Sequence, residues 1–122
     1  MVIKLNNKSE KFYHYMGKYF GSRLVEKQIN DRIYDDADKE WYIYVEKEEA
    51  KAFVSVQKDT IKNVYTTNDE DLKQIIMKIR QDRQIRMSIV PKIYEEIYRQ
   101  WQLQVAEEGQ YKNFVMISEK VG

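Results

Sequence analysis

At 122 residues, 43% hydrophobic and 34% charged, the chain is long enough for one hydrophobic core and too apolar for intrinsic disorder. A formal net charge of +1 removes the global electrostatic case for nucleic acid, and the absence of cysteine excludes disulfides, thiolate metal sites and a cysteine nucleophile. No run approaches a membrane span, and the opening MVIKLNNKSEKF lacks a signal peptide's apolar stretch, so one cytoplasmic domain over residues 1–122 is expected.

Val2, Ile3 and Leu5 start an edge strand, and Asn6, Asn7 and Ser9 favour a turn with a helix opening near Ser9. Phe12, Tyr15, Met16, Tyr19 and Phe20 recur at helical spacing up to Gly21. Ser22 caps a second helix whose shared face is Leu24, Val25 and Ile29. After the acidic loop Asp35-Asp36-Ala37-Asp38, Trp41, Ile43 and Val45 alternate with Tyr42, Tyr44 and Glu46, predicting a strand with aromatic groups on both faces. A turn over 47–50 pairs it with a strand over 52–57, and the short Lys58-Asp59-Thr60 connection adds an antiparallel third over 61–66. Leu72, Ile75, Ile76 and Ile79 fall at i, i+3, i+4 and i+7, one face of an amphipathic helix. Ile85, Met87 and Ile89 alternate as a strand, Pro91 suits the first turn of the next helix, and Ile93, Ile97 and Trp101 line that helix's face. Leu103 and Val105 open a strand, Glu108-Gly109-Gln110 turns it, and Tyr111, Asn113, Val115 and Ile117 alternate as the last. The predicted order is β-αα-βββ-α-β-α-ββ: an α/β (α+β) domain on a mixed, mostly antiparallel sheet.

That order resembles the GNAT superfamily of N-acetyltransferases, most specifically in IYEEIYRQWQLQVAEEGQYKNFVMI, residues 93–117. Where the family reads Tyr-x-x-x-Gly-Phe, this chain has Tyr98 followed by Gln102 and Leu103. EWYIYVEKEEAKAFVSVQ is similar to the family's central hairpin, with Ala52 replacing the usual glycine. The family holds acetyl-coenzyme A with an Arg/Gln-x-x-Gly-x-Gly/Ala loop after its fourth strand, whose N–H groups and following helix N-terminus grip the pyrophosphate. Here TTNDEDLKQIIMKI follows Val64 and Tyr65, with neither glycine nor arginine, and Asp69, Glu70 and Asp71 would repel that anion. Pro91 stands where the family has a cofactor-binding asparagine.

The resemblance, with these departures, implies a degenerate domain with no cofactor expected, acting as a non-catalytic protein-binding or regulatory module. Its small size and drift from the family pattern suit a gene carried by a mobile element. The alternative is an acetyl-coenzyme A-dependent N-acetyltransferase of unknown acceptor amine. In that reading the backbone of Val64, Tyr65 and Thr66 pairs with the pantetheine arm and Tyr98 protonates the departing thiolate.

A buried tyrosine with one hydroxyl partner is commoner than a catalyst, so Tyr98 also reads as packing beside Ile93, Ile97 and Trp101. His14 has neither a cysteine nor spaced carboxylates for a metal site or a triad. A calcium loop counted from Asp36 puts Trp41 at its glycine place and Lys47 at its glutamate place, so no metal is expected there. Lys8, Lys11, Lys18 and Arg23 interleave with Phe12, Tyr13, Tyr15, Tyr19 and Phe20, a mixture that can grip single-stranded nucleic acid. Helical spacing instead turns most of these rings into core, and rings left exposed would mark a protein contact, with Tyr15 and Tyr19 the expected partner surface.

Overall fold

The computed structural model describes residues 1–100, 105–111 and 113–119. In chain order the elements are β1 (Val2–Leu5), α1 (Phe12–Met16), α2 (Arg23–Ile29), β2 (Lys39–Glu46), β3 (Glu49–Gln57), β4 (Thr60–Tyr65), α3 (Asp69–Asp82), β5 (Met87–Pro91), a 3₁₀ turn (Lys92–Tyr94), α4 (Glu95–Arg99), β6 (Val105–Tyr111) and β7 (Phe114–Glu119). The strands form one sheet in the order β1-β2-β3-β4-β5-β7-β6. Every pairing is antiparallel except β4 with β5. The α/β expectation and the order of elements both hold.

The central hairpin is buried on both faces, which is why aromatic and aliphatic groups occupy both sets of alternating positions. Trp41 and Phe53 lie on the face covered by α1, with Phe12 and Phe20 ring centroids 6.3 and 5.4 Å from Trp41, and Tyr19 5.0 Å from Phe53. On the other face α3 lays down Leu72, Ile75, Ile76 and Ile79, all buried, against β1, β2 and β3. Tyr42, on that second face, donates its hydroxyl to Asp82 at the end of α3. The two strands turn through Lys47 and Glu48, both left-handed at φ 52° and 65°. That conformation matches the twist of the flanking strands but costs roughly 1–2 kcal/mol per residue carrying a Cβ.

Local chemistry sets the ends of the helices. Ser22 caps α2 by accepting the Val25 N–H at 3.4 Å, and Asn30 closes it in the left-handed region at φ 54°. Asn68 caps α3 by accepting the Glu70 N–H at 2.9 Å, with Asp69, Glu70 and Asp71 in the first turn, where they oppose the positive end of the helix dipole.

Several boundaries and faces differ from expectation. The first helix opens at Phe12 rather than near Ser9, whose hydroxyl instead accepts the Asn6 N–H. It also stops at Met16, so Tyr19 and Phe20 reach the core from turns beyond it. In α2 the inward residues are Val25 and Ile29, and Leu24 is 70% exposed. In β5 Ser88 and Val90 face inward while Met87 and Ile89 are half-buried, because Ser88 has a hydroxyl partner waiting on α4. Pro91 closes that strand opposite Phe114 instead of sitting within a helix. The buried groups of the following segment are Tyr94 and Tyr98, with Ile93 half-exposed; the tyrosines supply hydroxyls that isoleucine lacks. Gly109 lies inside β6 opposite Met116, so the last turn comes after Tyr111 and not at 108–110. Trp101 and Leu103 lie outside the described residues.

Phe53 has no exposed surface and touches the rings of Tyr19, Trp41 and Tyr65. Phe53→Ala is expected to lower the unfolding free energy by about 3–5 kcal/mol with an unchanged denaturant slope, read from urea unfolding followed by circular dichroism.

Candidate functional site

β4 and β5 pair as parallel strands only at Thr60↔Met87 and Ile61↔Ser88. Beyond that point β4 runs on without a strand on its β5 side, and the polar groups of a buried strand edge need partners. Tyr94, just past β5, supplies one: its hydroxyl accepts the Thr66 N–H at 3.1 Å and donates to the Thr66 carbonyl at 2.8 Å. One phenol thus takes both backbone groups of Thr66, and burial pushes its pKa up to about 12. The Thr66 hydroxyl is engaged as well, donating to the Asn68 carbonyl at 2.6 Å and accepting the Asn68 N–H at 3.0 Å.

Tyr98 is 1% exposed, and its hydroxyl lies 2.5 Å from the Ser88 Oγ. Burial pushes its pKa up to about 12, against the opposing pull of the Ser88 hydrogen bond and of Arg80. The Arg80 guanidinium meets the Glu119 carboxylate through two hydrogen bonds of 3.0 and 2.6 Å, tying α3 to β7 beside this tyrosine. A phenol so enclosed keeps its proton and holds α4 onto β5, and Ser88, fully buried, is no open nucleophile. Val64 is fully buried, and Tyr65 and Thr66 are 8% and 5% exposed.

Tyr15 and Tyr19 do not form a surface. They are 8% and 7% exposed, and the Tyr19 hydroxyl donates to the Ala50 carbonyl at 2.5 Å. Burial, with Tyr65 and Glu49 nearby, raises its pKa to about 12. The exposed rings of this region are Tyr13 on α1 and Tyr34 in the connector before β2. His14 stacks edge-on to Tyr15 at 4.9 Å. Among the described residues no three His, Cys, Asp or Glu side chains converge as metal ligands, and no helix is long and apolar enough to cross a membrane.

Sequence reading missed a buried polar cluster at the start of β2. Lys39 is 4% exposed; its Nζ donates to the Tyr34 carbonyl at 3.0 Å and to Asn63 Oδ1 at 2.9 Å. The ammonium lies 4.2 Å from the Tyr34 ring centroid and 5.5 Å from that of Trp41, a cation–π arrangement. Burial lowers its pKa, against the pull of Asp36 and Asp35. Ser55 donates to Asn63 Oδ1 at 2.6 Å, and Trp41 Nε1 donates to Asp35 at 2.9 Å. Asp31 Oδ2 is buried without a partner among the described residues. Burial pushes the Asp31 carboxyl up to about 6, although the Arg32 backbone, the Lys39 charge and the Asn63 side chain pull it down. The readable signal was Ser55 and Asn63, small polar residues at the centres of apolar strands.

No model of a known protein family matches the sequence, and no curated protein matches it. Among solved structures, the crystal structure of Escherichia coli ElaA superposes with a TM-score of 0.66, covering 98% of this chain and 99% of that one at 14% identity. The fold is GNAT-like.

Acetyl-coenzyme A, which that fold family implies, can be tested against the residues present. The backbone of Thr66 is already paired with Tyr94, and the N–H groups of Asn68 and Glu70 are taken by Thr66 and Asn68 side chains. An arriving pyrophosphate would also meet the carboxylates of Asp69, Glu70 and Asp71. This donor set does not fit the group.

Tyr94→Phe would leave two buried backbone groups of Thr66 without that partner, with an expected loss of about 1–3 kcal/mol in urea unfolding. For Asp31, the folded-state pKa of about 6 exceeds the ordinary 3.8, so the folded chain binds the proton more tightly and stability falls as pH rises through that window. Asp31→Asn is therefore expected to raise the thermal midpoint above about pH 6. The gain should shrink as the pH falls toward 4; thermal scans giving the same offset at every pH would contradict it.

Proposed function

We propose that this chain is a GNAT-fold domain working as a non-catalytic protein-binding or regulatory module. The observation that carries the reading is the Tyr94 phenol on both backbone groups of Thr66, where the family resemblance puts the pantetheine arm. The self-capped turn of Thr66 and Asn68 and the acidic start of α3 support it, because they replace an anion site with groups that need no ligand. The domain then contributes a rigid double-covered sheet whose helices and connectors are free to meet another protein.

One observation favours the acyltransferase reading: β4 and β5 stop pairing after Ile61 and Ser88, which leaves a strand edge of the kind that can bind an extended ligand. In that reading Val64, Tyr65 and Thr66 present the backbone, and Tyr98 supplies the proton once Tyr94 and Ser88 have yielded. Calorimetric titration with acetyl-coenzyme A and with free coenzyme A separates the two. The expected result is no heat of binding at millimolar ligand; micromolar affinity for either would sink the module reading and restore the enzyme, with Tyr98→Phe as its next test.

A further inference from the structure

The bend that follows α2 holds a carboxylate in an unsettled place. Asn30 closes the helix in the left-handed region at φ 54°, and the next residue, Asp31, buries its Oδ2 without a hydrogen-bond partner among the described residues. A buried acceptor without a donor costs free energy, and a buried charge costs more. The groups facing it from the core are already engaged. Asn63 on β4 gives its Oδ1 to Lys39 and Ser55 and its Nδ2 to the Arg32 carbonyl. Lys39 on β2 attracts the carboxylate, but its ammonium is bonded to Asn63 and the Tyr34 carbonyl, and it also feels Asp35, Asp36 and Lys62. Glu26 on α2 adds a like charge.

On its outer side Asp31 borders a hollow of about 560 Å³, shared with the cations Arg23, Lys27 and Arg32 and with Asn113 and Phe114 at the start of β7. The bend is also lightly held. The Asp31 N–H reaches the Glu26 carbonyl at 3.3 Å, an acceptor it shares with the Asn30 N–H, and the Asn63 amide reaches the Arg32 carbonyl at 3.4 Å. Both distances exceed the ordinary range for an N–H to oxygen bond. Ile33, 1% exposed, anchors the chain in the core immediately beyond.

We propose that Asp31 is a proton-operated catch: protonated, it lets the Asn30–Arg32 bend lie closed on β4, and ionised, it turns out into the adjoining hollow and the bend opens between Asn30 and Ile33. In the hollow, water and the three cations receive the charge that the interior leaves without a partner. The sign follows from the closed form holding its proton more tightly, at about 6 against the ordinary 3.8. Closure is complete below that window, and the opening equilibrium grows as pH rises through it, by up to about a hundredfold for a gap of about two units, then levels off. The device needs neither a cofactor nor a partner, so it stands apart from the reading of the domain as a binding module.

The test is an NMR titration of the intact chain from about pH 3.5 to about pH 7.5 that follows the Asp31 carboxyl carbon, together with hydrogen exchange at the Asp31 amide corrected for the intrinsic pH dependence. The carboxyl is expected to titrate near 6, with the Asp31 amide losing up to about a hundredfold of its protection across the same window while it exchanges faster than core amides such as Val54 throughout. Asp31→Asn should make that protection independent of pH. Glu26→Gln, which removes the like charge, should carry the titration midpoint and the loss of protection to lower pH together. A carboxyl titrating at its ordinary value overturns the proposal, as does an Asp31 amide that exchanges only along with Val54, which would mean no local opening. Protection that still falls with pH in Asp31→Asn, or a midpoint that moves in Glu26→Gln without the exchange, separates the carboxyl from the bend and overturns it too.

Discussion

A strand edge buried inside a protein must have its N–H and C=O groups paired, and the junction of β4 with β5 is where this sheet comes closest to breaking that rule. Two residue pairs join the strands, and then the ladder stops. The next stretch of chain compensates for the stop. It leaves β5 through Pro91, and the segment beyond returns Tyr94 to Thr66 and Tyr98 to Ser88. The two tyrosines are four residues apart and have different tasks: Tyr94 covers the Thr66 backbone beyond the ladder, and Tyr98 holds α4 to the Ser88 side chain within it. At this junction the polar groups meet each other: Tyr94 with Thr66 and Tyr98 with Ser88.

Burial of polar groups follows the same logic on the opposite side of β4. Asn63 sits in the middle of that strand and would be a liability alone. It is used on three sides, by Lys39, Ser55 and the Arg32 carbonyl. Through Lys39 and Tyr34 the arrangement pins the connector between α2 and β2, which has no regular structure of its own. The exposed ring of Tyr34 owes its position beside α2 to that pinning. A core charge thus sets the shape of a surface.

Legibility in the sequence tracked how local each feature is. The alternation of Trp41 through Glu46 and the spacing of Leu72, Ile75, Ile76 and Ile79 are properties of short windows, and both elements form where the pattern puts them. The missing glycines after β4 could also be read directly. Period two, however, names two alternating sets without saying which one faces the core. In β5 the inward set is the one with a serine, because its hydroxyl meets Tyr98 from another element. Likewise Tyr94 bonds a residue 28 positions away, a distance no local pattern encodes. Tyr15 and Tyr19 drew attention as aromatics among lysines, yet their neighbours in space are core side chains of the sheet.

The two-pair junction also gives the sheet a parting line. On one side lies the antiparallel meander β1 to β4, with long ladders between sequential strands; on the other lie β5, β7 and β6, ordered differently and joined to the meander by the shortest register among the described residues. Cooperative units of opening in proteins follow such seams. With the meander as one foldon and the last three strands as another, separation along β4 would release Thr66 from Tyr94 while the aromatic core of the central hairpin stayed intact. The backbone edge that the tyrosine covers is thereby the edge that a partial opening uncovers first.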